Sequence, residues 1–259
     1  MLIEVKGLVI KSVDIRESDR LITLFTDEHG IISAMAKGAR SLKSRNMSTT
    51  MPFCYASFVL HGKGDMYWVR ESELHESFFG IRTSIEGLAL AGYILEVIGH
   101  VGVEAPERDL LRLALNTLYA ISTGKYKLGS IKAAFEIRAM SILGFMPNVL
   151  SCANCGAEHG DFFLDIMGGY LSCPDCRGEM QDEEYGEEER RAVTLLSEGA
   201  RVAMAYCIHA PLEKLFSFNV GGEDMSLFKS ACEQYLKHQL GRSFNTLDFY
   251  HDVVGAKDL

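Results

Sequence analysis

No apolar run in this sequence of 259 residues approaches the ~20 residues that a membrane-spanning helix needs. The chain opens on the strand-like LIEVKGLVIKS and has no charged-then-apolar leader, so a cytosolic address is expected. Internal repeats and low-complexity linkers are absent, and 47% hydrophobic with 24% charged residues is the composition of ordinary folded domains. Nucleotide-hydrolysis and hydrolase signatures are missing too. His61 to Asp65, HGKGD, has neither the spacing nor the Ser/Thr of a phosphate-binding P-loop, and no His-Glu-x-x-His or Gly-x-Ser-x-Gly occurs. With no catalytic constellation, the chain is expected not to be an enzyme. Positive charge is also in short supply: 26 Lys and Arg against 35 Asp and Glu give a net charge of −9, which taken alone argues against a polyanion binder.

That charge is unevenly spread. Residues 1–70 carry 10 Lys and Arg against 7 Asp and Glu, which leaves 16 against 28 for the remainder. The first segment is a separate electrostatic unit. It alternates as half-buried strands do, with candidate strands IEVKGLVIKS, DRLITLFTD, GIISAMAKG, FCYASFVLHG and DMYWVRESE separated by turns at His29-Gly30 and Gly62 to Asp65. Five short strands in so few residues predict a small closed barrel, an OB-fold first and an SH3-like barrel as the alternative.

From Ser84 the period lengthens. Leu90, Ile94, Val97 and Val101 recur at helical spacing, as do Leu111, Leu115 and Leu118 after Pro106, and Ile131, Phe135 and Ile142 mark a third helix. Further helices are expected over 187–206 and 225–240, and the acidic stretch from Glu179 to Glu189 as a solvated loop and helix start. The fold class expected is α+β multidomain: an OB-fold over residues 1–80, then a mainly helical domain over 81–259 with a cysteine segment at 150–180.

Seven cysteines is an odd number, and a reducing compartment argues against a disulfide framework. Cys54, Cys207 and Cys232 stand singly in apolar stretches and read as buried core thiols. Cys152, Cys155, Cys173 and Cys176 form two Cys-x-x-Cys pairs separated by 17 residues. Each pair turns two thiolates toward one metal, so the four predict a structural Zn2+ in a closed tetrahedral shell, with redox thiols or another metal as alternatives. Four thiolates leave no open position for water, which excludes metal-assisted hydrolysis, and the His-x-Glu of zinc deaminases is missing. His159, Asp161 and Asp175 read as solvated loop residues.

The run MAKGARSLKSRN places Lys37, Arg40, Lys43 and Arg45 among small residues, with no carboxylate. Small residues let a backbone approach phosphates closely, so these four are candidate nucleic-acid contacts, against a merely solvated loop. Tyr55, Tyr67 and Trp68 offer faces on which bases stack. Tyr67 and Trp68 are adjacent and point to opposite sides of a strand, so only one of them lines a groove; Tyr55 and Trp68 are taken as candidates.

These features together resemble one bacterial family, the DNA repair protein RecO. The resemblance is carried by DIRESDRLITLFTDEHGIISAMAKGARSLKSR in the barrel, FEIRAMSILGFMPNVLSCANCG into the first cysteine pair, GGYLSCPDC at the second and LGRSFNTLDFY near the end. It implies a recombination mediator without turnover, cytoplasmic and nucleoid-associated. Such proteins bind single- and double-stranded DNA, anneal strands, associate with RecR and with the C-terminal tail of single-stranded-DNA-binding protein, and help load RecA at gaps. Arg138 beside Phe135, or Arg190 and Arg191, are candidates to receive that tail. Ser41 and Leu42 dilute the basic loop relative to the family, which implies weaker DNA affinity. A zinc-ribbon scaffold that binds proteins through its acidic helical domain is the alternative function.

Overall fold

The computed structural model describes residues 2–63, 66–102, 108–181 and 192–255. The Gly64-Asp65 part of the expected turn, the acidic stretch from 182 onward, Arg190 and Arg191 lie outside them. The chain forms two compact units, residues 1–125 with 244–259, and residues 126–243.

The first unit is built on a closed barrel of β1 (Leu2–Ile15), β2 (Asp19–Thr26), β3 (Gly30–Ala36), β4 (Tyr55–Lys63) and β5 (Met66–Glu76), in the order β1-β2-β3-β5-β4. The antiparallel β1–β4 pair and the parallel β3–β5 pair close it, which is the OB-type arrangement and not the SH3-like one. A single long β1 serves two neighbours. Leu2 to Leu8 pair with β4 and Gly7 to Ile15 with β2, with a bulge between Val9 and Lys11 that bends the strand. Gly7 sits where the strand passes from one neighbour to the other: a Cβ there would lie 3.2 Å from Thr26 Cγ2 and 3.3 Å from Leu24 Cβ. Alternate residues fill the barrel, including Val5, Val9, Ile22, Leu24, Ala34, Ala36, Ala56, Phe58, Leu60 and Val69.

Helices α1 (Ile85–Val101) and α2 (Arg108–Thr123) belong to this unit, and so does the last helix, α7 (Asn245–Gly255). Ser84 caps α1 by accepting the Gly87 N–H at 2.9 Å. The Glu96 carboxylate accepts from the Thr246 N–H at 3.1 Å and so holds the start of α7 on α1, where Phe244 packs edge-on to Tyr93.

The second unit holds α3 (Leu128–Ile142), strands β6 (Asn148–Cys152), β7 (Phe162–Asp165) and β8 (Tyr170–Ser172), then α4 (Pro174–Gln181), β9 (Val193–Leu196), α5 (Glu198–His209) and α6 (Gly222–Gln239). The sheet order is β6-β8-β7-β9. The helix expected over 187–206 is corrected here. Val193 to Leu196 form an edge strand paired with β7, and the helix starts only after Ser197, whose hydroxyl accepts the Ala200 N–H at 3.3 Å. The β-branched Val193 and Thr194 favour the strand, and the N-cap serine marks the boundary.

Helix α3 is buried on nearly every face, Lys132 and Glu136 included. Lys132 pairs with Glu136 at 2.8 Å and with Glu233 of α6 at 2.7 Å. Burial opposes the Lys132 charge, yet these two carboxylates raise its pKa overall. Arg138 turns its guanidinium onto the carbonyls of Ile208 and Ala210, and Phe135 has no exposed surface. Phe135 is therefore not available to an acidic tail, and the half-buried Arg138 is already engaged by these two carbonyls. A helix buried on nearly every face carries no amphipathic signature, so the sequence could not show that Arg138 is turned onto the backbone of its own unit. Cys54, Cys207 and Cys232 are buried, as expected; desolvation pushes the Cys207 thiol up to about 12.

Candidate nucleic-acid face and four-thiol cluster

Parity along the strands decides which aromatic faces out. Val69 lies in the barrel core and Tyr67 packs against it, so Trp68 projects outward. Trp68 pairs with Met35 of β3 and with His61 of β4; Met35 pairs with Leu21, and Leu21 with Val13. Each of these flanks a residue directed into the barrel, so Val13, Leu21, Met35, Trp68 and His61 form one outward row across all five strands. Val13 is 42% exposed. Lys11, on the same face of β1, is exposed and pairs with Thr23.

The basic run lies in the β3–β4 connection, and Lys37, Arg40, Lys43 and Arg45 are all exposed. The connection is held in place by its own polar contacts. The Gly38 N–H donates to Asp19 Oδ1 at 2.8 Å, the Arg40 N–H to Ser18 O at 3.0 Å, and Arg20 to Met47 O and Thr50 Oγ1 at 3.2 and 3.3 Å. Asn46 accepts from Ser72 of β5 at 2.7 Å. The Gly38 N–H, aided by the Ser18 hydroxyl and by Arg16 and Lys37, holds the Asp19 carboxyl below its usual range. These contacts bring the run beside the β1–β2 turn, whose Arg16 is exposed and adopts φ 57°. Arg16 escaped the sequence reading because it lies some twenty positions before the run.

The candidate cations are not equivalent. Arg40 is bound to Asp14 at 3.3 Å and to Arg16 O at 3.1 Å, whereas the side chains of Lys37, Lys43 and Arg45 make no hydrogen bond or ion pair among the described residues. Tyr55 also faces outward but pairs with Leu8 and Glu76, its ring 5.5 Å from that of His75. It lies six residues along β4 from His61, roughly 20 Å from the Trp68 end of the row.

In the second unit, parallel pairing of β6 with β8 sets Cys152 opposite Leu171, so Cys173, just beyond β8, lands beside it. The two Cys-x-x-Cys turns then meet, and all four sulfurs lie within 4.8 Å of one another. Cys155 Sγ and Cys173 Sγ are 3.7 Å apart. A tetrahedral zinc with Zn–S bonds of ~2.3 Å needs edges of about 3.8 Å, so the residues fit such an ion. Gly156, with φ 76°, closes the first turn and donates to Cys152 O at 3.0 Å. Burial opposes ionisation of Cys152, but the N–H groups of Cys155, Cys173 and Asn154 bring its thiol down to about 6. Cys176 is raised by hydrogen bonds shared with Cys173 and Cys155. Such a cluster resists full ionisation unless a cation enters it. His159 and Asp161 are engaged by Glu198 instead, through Nδ1 at 3.3 Å and by accepting its N–H at 3.2 Å. Arg201, buried over Phe162, donates to the carbonyls of Val149, Leu150 and Glu158 and so ties both ends of the first turn to α5.

An OB-type barrel followed by a helical region with a four-cysteine cluster defines a class of multidomain, barrel-bearing protein. Comparison with known proteins makes it specific. The model described as Recombination protein O N terminal matches residues 1–78, and Recombination protein O C terminal matches residues 82–248. The DNA repair protein RecO of Acetivibrio thermocellus is 36% identical over 250 residues, covering 95% of each chain. That of Caldanaerobacter subterraneus subsp. tengcongensis is 29% identical over 249 residues, covering 95% of this chain and 96% of its own. That of Alkaliphilus metalliredigens is 33% identical over 180 residues, or 69% and 73% of the two chains. The chain belongs to the RecO family, whose role is DNA repair and recombination. No described helix is long and apolar enough to cross a membrane.

Proposed function

We propose that this chain is a recombination mediator that binds DNA without turning it over. It would anneal complementary strands and help load RecA at gaps, together with RecR and single-stranded-DNA-binding protein. The observation that carries the proposal is the outward row of Trp68, Met35, Leu21 and Val13, with exposed Lys11 on the same face of β1 and the exposed cations Arg16, Lys37, Lys43 and Arg45 in the β1–β2 turn and the β3–β4 connection next along the chain. The Trp68 ring stacks on bases, apolar side chains pack against them, the cations track the phosphates, and His61 is the one member of the row able to hydrogen-bond a base edge, so preference among base sequences should be small. Tyr55 would meet a strand only well along β4. The four thiols are proposed to hold one structural zinc ion, which closes the segment and supplies no open position for chemistry. For a partner's apolar tail, the exposed Phe145, Met146 and Met167 beside Tyr235 and Gln239 offer a surface on the second unit.

Trp68 is the only tryptophan in the chain, so the face carries its own probe. Single-stranded oligonucleotide should quench its emission, and Trp68→Ala should weaken binding by about 1–3 kcal/mol. Saturable DNA binding that leaves Trp68 emission untouched would place the strand elsewhere.

A further inference from the structure

The cations beside the barrel face include one that already holds an anion. Asp14, near the end of β1, puts Oδ1 3.0 Å from Arg20 Nε and Oδ2 3.3 Å from Arg40 Nε. One carboxylate thus bridges two guanidinium groups from different parts of the chain. Arg20 is the fixed partner: its side chain is 13% exposed and it donates to Met47 O and Thr50 Oγ1. Arg40 is the open partner, 38% exposed, oriented by its bond to Arg16 O. Asp14 itself is 51% exposed, so water reaches the carboxylate when the bridge opens.

Two oxygens and one negative charge shared between two arginines is what a nucleic-acid backbone phosphate would present to the same donors. We propose that Arg20 and Arg40 form a seat for one backbone phosphate, and that Asp14 fills this seat until a phosphate displaces it. The inference rests on the nucleic-acid reading above. It changes the expected energetics at this point. Exchanging one anion for another adds little net attraction, so the seat contributes orientation and register while Lys37, Lys43 and Arg45 contribute the salt-dependent pull. The displaced carboxylate also recruits a cation from solution, which offsets the counterions that the phosphate releases.

Asp14→Asn separates these effects, because it keeps the size and one acceptor oxygen and removes the charge. The probe is a labelled oligothymidylate followed by fluorescence anisotropy from 50 to 300 mM salt, with each variant's folding checked by circular dichroism and melting. The variant is expected to bind roughly fivefold tighter at the lowest salt, from one unit charge removed about 4 Å from a phosphate. Its slope of log K against log[salt] should steepen by about 0.7. The gain should vanish when Asp14→Asn is placed in an Arg40→Ala background. If Asp14→Asn folds poorly, Asp14→Ser removes the same charge. Unchanged or weaker binding by a folded variant overturns the proposal, as does a gain that persists without Arg40, since Asp14 would then act only as a diffuse negative field. Failure of the nucleic-acid reading is told apart at the outset: the unmodified chain would then show no salt-dependent binding at all.

Discussion

Replacing Lys37, Lys43 and Arg45 together with alanine removes the three exposed cations of the basic run whose side chains are committed to no partner among the described residues. Each phosphate neutralised on a single strand contributes about −0.7 to the slope of log K against log[salt], so three contribute about −2. A slope of −2 alone costs roughly sixteenfold in affinity between 50 and 200 mM salt. The triple variant should lose that dependence, flattening the slope by about two units and weakening all base sequences alike. Arg40→Ala alone should change the slope much less, because its charge is already balanced by Asp14 at 3.3 Å. Thermal stability of the triple variant should stay within about 0.5 kcal/mol of the parent, since exposed side chains without packed contacts add little. Anisotropy titrations of one labelled oligonucleotide at five salt concentrations supply the slopes, and urea unfolding supplies the stability. A folded triple variant with the parental slope would refute the assignment and return the run to a solvated connection.

Three other perturbations test separate parts of the molecule. Cys155→Ser removes an exposed thiol of the cluster without disturbing packing, so zinc measured by atomic emission should fall from one per chain to well below it, with a lower melting temperature; a variant that keeps one equivalent would sink the four-thiol site. Gly80→Ala would drive a Cβ into the Ser122 carbonyl oxygen, and urea unfolding should show a loss of about 1–3 kcal/mol, whereas parental stability would refute the steric argument. Asp19 is expected to link stability to pH. The Gly38 N–H depresses its folded-state pKa, so its contribution is present above the unfolded value near ~3.9 and is lost as pH falls through the folded value. Asp19→Asn should remove that part of the acid dependence of the urea midpoint, and midpoints that run parallel to the parent from pH 6 to pH 2 would contradict the linkage.

Local chemistry made part of this protein legible from its residues alone. Alternation of period two over the first seventy-odd residues specifies strands, and five of them in that length have few ways to hide their edges other than closure. Two Cys-x-x-Cys turns specify a cluster because each turn is self-contained and needs only to be brought to the other. The tertiary structure decided what depends on partners distant in sequence. Register with Leu60 and Ala34 sends Tyr67 toward the core and Trp68 outward. Asp14, twenty-six positions before Arg40, sets that arginine apart from its neighbours in the run. Packing on β7 makes a strand of Val193 to Leu196, and the Glu96 carboxylate draws the last helix back to the first unit. Central burial of α3 turns Arg138 onto the backbone of its own unit. Periodicity and spacing report how each residue relates to its near neighbours, but the direction of a side chain and the pairing of a charge are set by whatever surface the folded chain lays against it.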